Sequence, residues 1–334
     1  MRPTFLLLLL PVVCLSAAYS TPMAAQKSAE KQKASSLAAM IRRDPGDPSS
    51  LNLMYGAGGN EHAPDPEGTY TFIKESSAGT NPKFDVTDQA GTEWRVKRGE
   101  ESRAETAASR LVWAAGYFVD EDYYLPTMKI SGLPALRRGQ QLVSAGGIVH
   151  GEGLERHTKH EKKLDNWDWF NNPFTGTQEL NGLRVMMALL NNWDLKAVNN
   201  SIYEVGDAQR FLVSDLGAAL GNSGNYFTRS KSSIESYTQT NFIDHVDGDS
   251  VSFVMHTRPF VLSAVRVQYY RDNARMEAVA RHIPKTDAKW LGERLSRLSA
   301  DQIRDAFRAA GYPDGDIELF TKIIQARITA LNAL

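Results

Sequence analysis

Three polar residues in the second half of the chain have the types and spacing that phosphoryl transfer requires. Asp194 and Asn199 lie five positions apart in a polar segment, and Asp215 begins the sequence Asp-Leu-Gly. A carboxylate can orient an attacking hydroxyl group and accept its proton, and hard oxygen ligands can hold the metal ions that neutralise a triphosphate. The spacing allows Asp194 to face an acceptor and Asn199 to face a metal ion. The sequence therefore predicts one catalytic centre around these residues.

The segments around these residues predict how the chain brings them together. An apolar helix from Leu180 to Leu190 comes first, with a candidate capping box at residues 175–178. Two strands at residues 201–205 and 210–213 then predict a hairpin. This hairpin would return Asp215 to the loop that precedes it.

A second set of candidate residues lies upstream, after a predicted sheet. Strands at residues 69–74, 83–87 and 92–97 alternate in polarity and are separated by turn residues, which predicts three consecutive antiparallel strands. A helical pattern follows over residues 100–117. Lys97 thus ends the third strand directly before a helix.

The predicted helix carries two acidic residues that could pair with Lys97. Glu101 and Glu105 are separated by one helical turn, so either carboxylate could be the partner. We prefer Glu105, because small apolar residues flank it as they do on a packed helix face. Taken singly, Lys97 would more often be a solvated lysine and the two glutamates a charged helix face.

The central motifs resemble those of the protein-kinase-like superfamily. Asp-Leu-Lys-x-x-Asn at 194–199 is similar to a kinase catalytic loop, and Asp-x-Gly at 215–217 is similar to the kinase metal-binding motif. The order of helix, loop, hairpin and Asp-x-Gly is similar too, and the match covers roughly residues 66–220. The resemblance implies an α+β, protein-kinase-like two-lobed fold with a small β-rich N-lobe and a larger, mainly helical C-lobe.

The resemblance implies a role for each residue of the central motif. Asp194 would be the catalytic base and Lys196 would steady the transferring phosphate. Asn199 and Asp215 would hold Mg²⁺, with Mn²⁺ as an alternative. The implied cofactors are therefore ATP and a divalent metal ion.

The upstream residues would bind the nucleotide in the same comparison. Lys97 would contact the α- and β-phosphates of ATP and pair with Glu105. Ser77 and Gly79 lie in the small-residue loop between the first two predicted strands, where backbone amides could approach a phosphate.

Three departures from the ordinary kinase pattern indicate an atypical branch. Gly79 is the only glycine of the phosphate loop, Trp193 replaces the arginine before Asp194, and no Ala-Pro-Glu sequence follows Asp215. Control by a phosphorylated activation loop is not implied, since it uses that arginine. The pattern is more similar to HipA-like, lipid-kinase-like and secretory-pathway kinases.

The N-terminus predicts export. Arg2, an apolar run at residues 5–13 and Ala18-Tyr-Ser20 are typical of a secretory signal, so residues 1–20 are interpreted as a signal peptide. We expect a periplasmic or secreted protein without an integral membrane segment after cleavage. The predicted domains are a flexible linker at 21–65 with one short helix near 28–43, an N-lobe at 66–150 and a C-lobe at 151–334.

Composition excludes several other classes of function. The only cysteine, Cys14, lies in the predicted signal, which excludes disulfides, cysteine-based zinc sites and thiol nucleophiles from the mature chain. A net charge of −1 provides no field that would attract nucleic acid. No Gly-x-Ser-x-Gly or His-Glu-x-x-His motif of the common hydrolases occurs. His157 and His160 could face one side of a helix as metal ligands, but lysines crowd the segment and no third ligand is evident.

The predicted function is an exported, ATP- and Mg²⁺-dependent phosphotransferase that moves the γ-phosphate to a hydroxyl group. The acceptor stays open among protein, sugar, lipid and small molecule. The alternative is a pseudokinase, a catalytically inactive nucleotide-binding or scaffolding module on the same fold. A third reading is a transferase that moves the nucleotidyl group.

Overall fold

The computed structural model describes residues 35–77, 81–157, 162–222, 229–255 and 267–334, with the side chains of 267–270 excepted. The predicted signal peptide lies outside these residues. Among the described residues, none of the helices combines the length and apolar character needed to cross a bilayer.

The first half of the described chain forms a closed β-sheet. Its strands are β1 (Thr69–Ser76), β2 (Lys83–Thr87), β3 (Glu93–Arg98), β4 (Asp122–Ser131), β5 (Val143–Ser144) and β6 (Ile148–His157). β1, β2 and β3 are consecutive antiparallel neighbours, which confirms the predicted order. β3 pairs with β6, β6 with β4, and β4 returns parallel to β1, so these five strands close into a barrel.

Residues 94–97 of β3 alternate between the barrel interior and the outer face of the sheet. Trp94 and Val96 are buried in the barrel, while Arg95 and Lys97 point to the outer face. Lys97 is level with Lys83 of β2, which in turn pairs with Ser76 at the end of β1. The register therefore places the β1–β2 turn at the same end of the sheet as Lys97.

A buried helix lies between the barrel and the rest of the chain. After α1 (35–41), helix α2 (Glu101–Ala114) packs against β4 and β6. Alanine and other small residues cover its buried face, which allows close approach on both sides. Gly116 follows the end of α2 and has φ +95°. A Cβ at this position would lie 2.3 Å from the carbonyl oxygen of Arg43. Only glycine meets both conditions.

The next elements position the central motif. They are β7 (Lys162–Asp165), α3 (Gln178–Leu189), β8 (Asn200–Val205) and β9 (Ala208–Val213). The cap of α3 differs from the prediction, since Thr177 rather than Thr175 accepts a hydrogen bond, from the backbone amide of Leu180. β8 and β9 form the predicted hairpin, with Gly206 at φ +61° in its turn.

The last part of the described chain is mainly helical. Its elements are α4 (Ile234–Thr238), β10 (Ile243–Asp247), β11 (Ser250–Phe253), α5 (Val267–Ala278), β12 (Ile283–Pro284), α6 (Lys285–Leu295), α7 (Ala300–Ala309) and α8 (Asp314–Asn332). The helices are interrupted near Pro284 and Gly311. Asp314 and Asp316 occupy the first turn of α8, where acidic side chains interact favourably with the helix dipole.

Part of the segment predicted as a flexible linker is packed against the core. Ile41 and Leu53 are fully buried, and the Arg42 Nε donates to the carbonyl oxygen of Ala115 at 2.9 Å. Gln302 of α7 donates to two backbone carbonyls of the same segment. The composition of 21–65 predicted a tether, but a few apolar side chains and backbone hydrogen bonds suffice to dock its second half.

Candidate active site

The three residues of the central motif are joined by short hydrogen bonds. The side-chain Nδ2 of Asn199 donates to the backbone carbonyl of Asp194 at 2.7 Å, which closes the loop between them. The backbone carbonyl of Asn199 accepts from the amides of Ser214 at 3.0 Å and Asp215 at 3.2 Å. The β8–β9 hairpin therefore returns Asp215 to Asn199, as the sequence predicted.

The side chains of this unit differ in their surroundings. Asp194 Oδ1 lies 2.7 Å from the Lys196 ammonium, and the two side chains are 25% and 57% exposed. Asp215 Oδ1 accepts from the amide of Gly217 at 3.3 Å, which turns its carboxylate back along the chain. The side chains of Asp194 and Lys196 are thus partly exposed, although Asp194 Oδ1 itself is buried. The carboxylate of Asp215 is oriented by the turn at Gly217.

Lys97 is held between two carboxylates. Its Nζ lies 2.6 Å from Glu105 Oε1 of α2 and 2.7 Å from Glu155 Oε2 of β6, and its side chain is only 13% exposed. Glu101 instead pairs with Lys231, so the structure selects Glu105 from the two predicted partners. The nucleotide-binding roles assigned to Lys97 and Glu105 stay predictions.

The charge of Asp215 acts on this pair. Burial alone would lower the pKa of Lys97, but Glu105, Glu155, Asp122 and Asp215 outweigh burial and hold the pKa well above its ordinary value. Lys97 is therefore a permanent cation at neutral pH. Because Asp215 contributes to this shift, the upstream pair and the central motif share one electrostatic environment.

Sequence reasoning missed the other acidic residues of the site. Carboxylate oxygens of Glu105, Asp122 and Glu155 lie within 4.8 Å of one another. Asp122 is the first residue of β4, and Glu155 lies in β6. The barrel brings them together, because β6 pairs Glu155 with both Arg95 and Asp122. The pairing of strands that are distant in the sequence cannot be predicted from a local sequence pattern.

These carboxyl groups have unequal proton affinities. Burial raises the pKa of Asp122 to about 7, and Lys97 opposes the shift only in part. Burial also acts on Glu155, but the ammonium of Lys97 outweighs it and lowers the pKa of that carboxyl. Burial also raises the pKa of Glu105 well above its ordinary value, although the same lysine opposes the shift. Lys97 thus keeps Glu155 ionised, while Asp122 and Glu105 are the carboxyl groups of higher proton affinity.

Replacement of Asp122 by asparagine should stabilise the fold in a pH-dependent way. The folded state favours the protonated carboxyl, so its contribution to stability falls as pH rises from the unfolded pKa of 3.8 to about 7. Asparagine mimics the neutral form. Urea unfolding should show Asp122→Asn more stable than wild type by about 4 kcal/mol at about pH 8, with the difference vanishing near pH 4.

The neighbouring Glu121 provides the control for this measurement. Its carboxylate lies 2.9 Å from His62 and 3.2 Å from Arg156 and is partly exposed. Glu121→Gln should therefore give no stabilisation at high pH. An Asp122→Asn protein less stable than wild type near pH 8 would contradict the proposed charge state.

The predicted phosphate loop is described only in part. Gly79 lies outside the described residues, and Ser77 is exposed beside a cavity of about 540 Å³. Arg137 and Arg138 line the same cavity, and their backbone amides donate to the carboxylate of Glu75 at 3.0 Å. Two arginines that the sequence did not single out therefore lie beside the loop expected to approach phosphate.

The chemistry of the central donor set fits a hard divalent cation. Asp215 offers a carboxylate, and Asn199 uses its amide nitrogen on Asp194, which leaves the amide oxygen for another partner. Oxygen donors of these two kinds are the ligands that Mg²⁺ and Mn²⁺ prefer.

Two other sequence motifs do not contribute to the site. An aromatic group of Trp167, Trp169 and Phe174 is buried in the main hydrophobic core. His157 ends β6, which is a strand rather than the helix that a two-histidine site needs, and His160 lies outside the described residues.

Comparison with known proteins extends these observations. No protein-family model and no curated protein sequence matches the chain. In structure, the chain is similar to the Helicobacter pylori proinflammatory kinase CtkA, with a TM-score of 0.46 and 11% identity over 79% of this chain and 96% of that one.

Two structures of the Golgi casein kinase are also similar. The form with Mn/ADP bound has a TM-score of 0.45 and 9% identity over 96% of this chain and 90% of that one. A second structure has a TM-score of 0.40 and 11% identity over 79% and 70%. These three structures are of proteins described as kinases.

Proposed function

We propose that the chain is an ATP-dependent phosphotransferase of the atypical kinase type, with a two-lobed fold and its nucleotide bound between the barrel and the helical part. The observation that supports this proposal is the hydrogen-bonded unit of Asp194, Asn199 and Asp215. The carboxylate of Asp215 in this unit also raises the pKa of Lys97, which is paired with Glu105. Each member has the chemistry that phosphoryl transfer assigns to its position.

In this proposal, different residues act on the acceptor and on the nucleotide. Asp194 orients the acceptor hydroxyl group and takes its proton as the new bond to phosphorus forms. Lys196 lies beside that carboxylate and offers a positive charge to the transferring phosphoryl group. Lys97 binds the α- and β-phosphates. Catalysis then consists of positioning and charge neutralisation, without a covalent intermediate.

Asn199 and Asp215 would hold the metal ion. Mg²⁺ or Mn²⁺ supplies positive charge to the β- and γ-phosphates when bound. The requirement is strong here, because Lys97 lies among several carboxylates whose negative charge opposes an approaching triphosphate. The acceptor carries a hydroxyl group, and we retain the exported location as part of the proposal.

A second candidate is supported by the same cluster. Lys97 already has two carboxylate partners, so at most one of the three N–H donors of its ammonium is left for a phosphate. This observation favours a pseudokinase in which the lysine is purely structural. The complete set of Asp194, Asn199 and Asp215 favours the active enzyme, since a scaffold has no chemical need for all three.

Metal removal separates these alternatives. With ATP and Mg²⁺ we expect slow turnover that EDTA lowers by about 100-fold or more, and that Mn²⁺ or Mg²⁺ restores. Mass spectrometry of the protein and of added hydroxyl acceptors should detect a phosphoryl group rather than a nucleotidyl group.

The outcomes of this experiment are distinct. Thermal stabilisation by nucleotide without any turnover indicates the pseudokinase. Addition of a nucleotidyl group identifies the other transfer reaction. If nucleotide causes no thermal stabilisation and no turnover is detected, nucleotide binding is refuted.

A further inference from the structure

The chain after Asp215-Leu-Gly returns to the first turn of α2. We name residues 229–233 the return segment. Within it, the ammonium of Lys231 forms an ion pair with Glu101 Oε1, and the two side chains are 23% and 22% exposed. The predicted nucleotide role uses Glu105 and leaves Glu101 without a function. The ion pair therefore links α2 to the opposite side of the site.

Hydrogen bonds join the return segment to the residues that flank the central motif. The amides of Ser232 and Ser233 donate to the carbonyls of Ala219 and Leu220 at 3.0 and 2.8 Å. The indole Nε1 of Trp193, the residue before Asp194, donates to the carbonyl of Ser230 at 3.1 Å. The backbone on both sides of Lys231 is therefore hydrogen-bonded to residues next to the central motif.

Gly217 brings the metal-binding motif against the same glutamate. A Cβ at this position would lie 2.9 Å from Glu101 Cβ and 3.2 Å from its Cγ. Such a contact is too close for any side chain, so only glycine allows this approach. Glu101 is therefore enclosed by the turn that orients Asp215 and by the lysine of the return segment.

Glu101 and Glu105 are four residues apart and lie on the same face of α2. One helix face thus makes two ion pairs, from Glu105 to Lys97 of β3 and from Glu101 to Lys231 of the return segment. A shift of α2 that separated one pair would strain the other.

We infer that the Glu101–Lys231 ion pair is a positioning contact that keeps α2 at the site, so that Glu105 stays paired with Lys97. The inference rests on the proposed function for its effect on turnover. Glu101 and Lys231 are positioning residues, because they act through Glu105 and do not touch the reacting groups. The contact needs no covalent modification, which agrees with the lack of an arginine before Asp194.

Charge reversal tests this inference. Glu101→Lys and Lys231→Glu should each lower ATP turnover by about five-fold, because each places like charges together at a partly buried contact. The double variant restores an ion pair of opposite polarity and should recover to within about two-fold of wild type. The loss should appear in kcat more than in the KM of the acceptor.

Glu100→Lys is the matched control, since Glu100 is exposed, lies next to Glu101 and introduces the same charge at the start of α2. It should leave turnover unchanged. If it lowers turnover as much as Glu101→Lys does, the effect belongs to the helix terminus and the inference fails.

Hydrogen exchange provides a measurement that does not depend on catalysis. Amides in the first two turns of α2 should exchange about five-fold faster in both single variants and return to the wild-type rate in the double variant. That result supports the inference even if wild-type protein has no turnover, in which case only the proposed function fails. Unchanged exchange in the single variants, or no recovery in the double variant, overturns the inference.

Discussion

Replacement of Asp194 by asparagine is expected to lower the rate of phosphoryl transfer by about 10³-fold, while nucleotide affinity changes by less than about three-fold. Asparagine keeps the size of the side chain and leaves intact the backbone carbonyl that accepts from Asn199. It removes the group that takes the proton of the acceptor. The loss should therefore appear in kcat, measured with ATP and Mg²⁺ at saturating concentrations.

Asp168→Asn is a suitable control for this variant. Asp168 has a side-chain exposure of 28%, close to that of Asp194, and it forms an ion pair of the same length, 2.7 Å, with Arg275. It does not belong to the hydrogen-bonded unit of the site. A kcat for Asp194→Asn that equals the control would exclude Asp194 as the base.

The parts of the site that could be predicted depend on local sequence. The hairpin between Asn199 and Asp215 follows from two short alternating segments and a Gly-Asp turn, and the structure contains it. The position of Lys97 before α2 follows in the same way from a strand pattern that changes to a helical one. Both are contacts between neighbouring elements, where periodicity and turn residues specify the geometry.

The parts that could not be predicted depend on strand register. Glu155 reaches Lys97 because β6 lies beside β3, although the two residues are separated by more than fifty positions. Asp122 joins them through the pairing of β4 with β6. The packing of Ile41 and Leu53 is also long-range, and isolated apolar residues in a polar segment give no periodic signal.

These missed residues change the electrostatic character of the site. With Glu105 alone, Lys97 would form a neutral ion pair. With Glu155 and Asp122 added, negative charge exceeds positive charge around the lysine, and Asp122 becomes neutral only by holding a proton. Under the proposed function, a nucleotide that carries several negative charges would therefore depend on metal ions for its binding as well as for its reaction.

Replacement of Asp215 by asparagine should have opposite effects on nucleotide binding in the presence and absence of metal. Without metal, loss of one carboxylate reduces repulsion, so ATP should bind as well as to wild type or more tightly. With Mg²⁺, loss of the ligand should remove most of the metal-dependent gain in affinity, and turnover should fall by about 10³-fold. Titration calorimetry with and without EDTA measures both arms.

Asp207→Asn in the turn of the same hairpin is the control, since Asp207 is exposed and lies at the opposite end of the β8–β9 hairpin from Asp215. Asp207→Asn should change the affinity for ATP neither with Mg²⁺ nor with EDTA. The reversal of sign is the decisive feature, because a variant that merely loosened the site would weaken binding under both conditions. A metal-dependent gain in affinity that persists in Asp215→Asn would show that the metal is held elsewhere. In that case the carboxylates around Lys97 would have to supply its ligands.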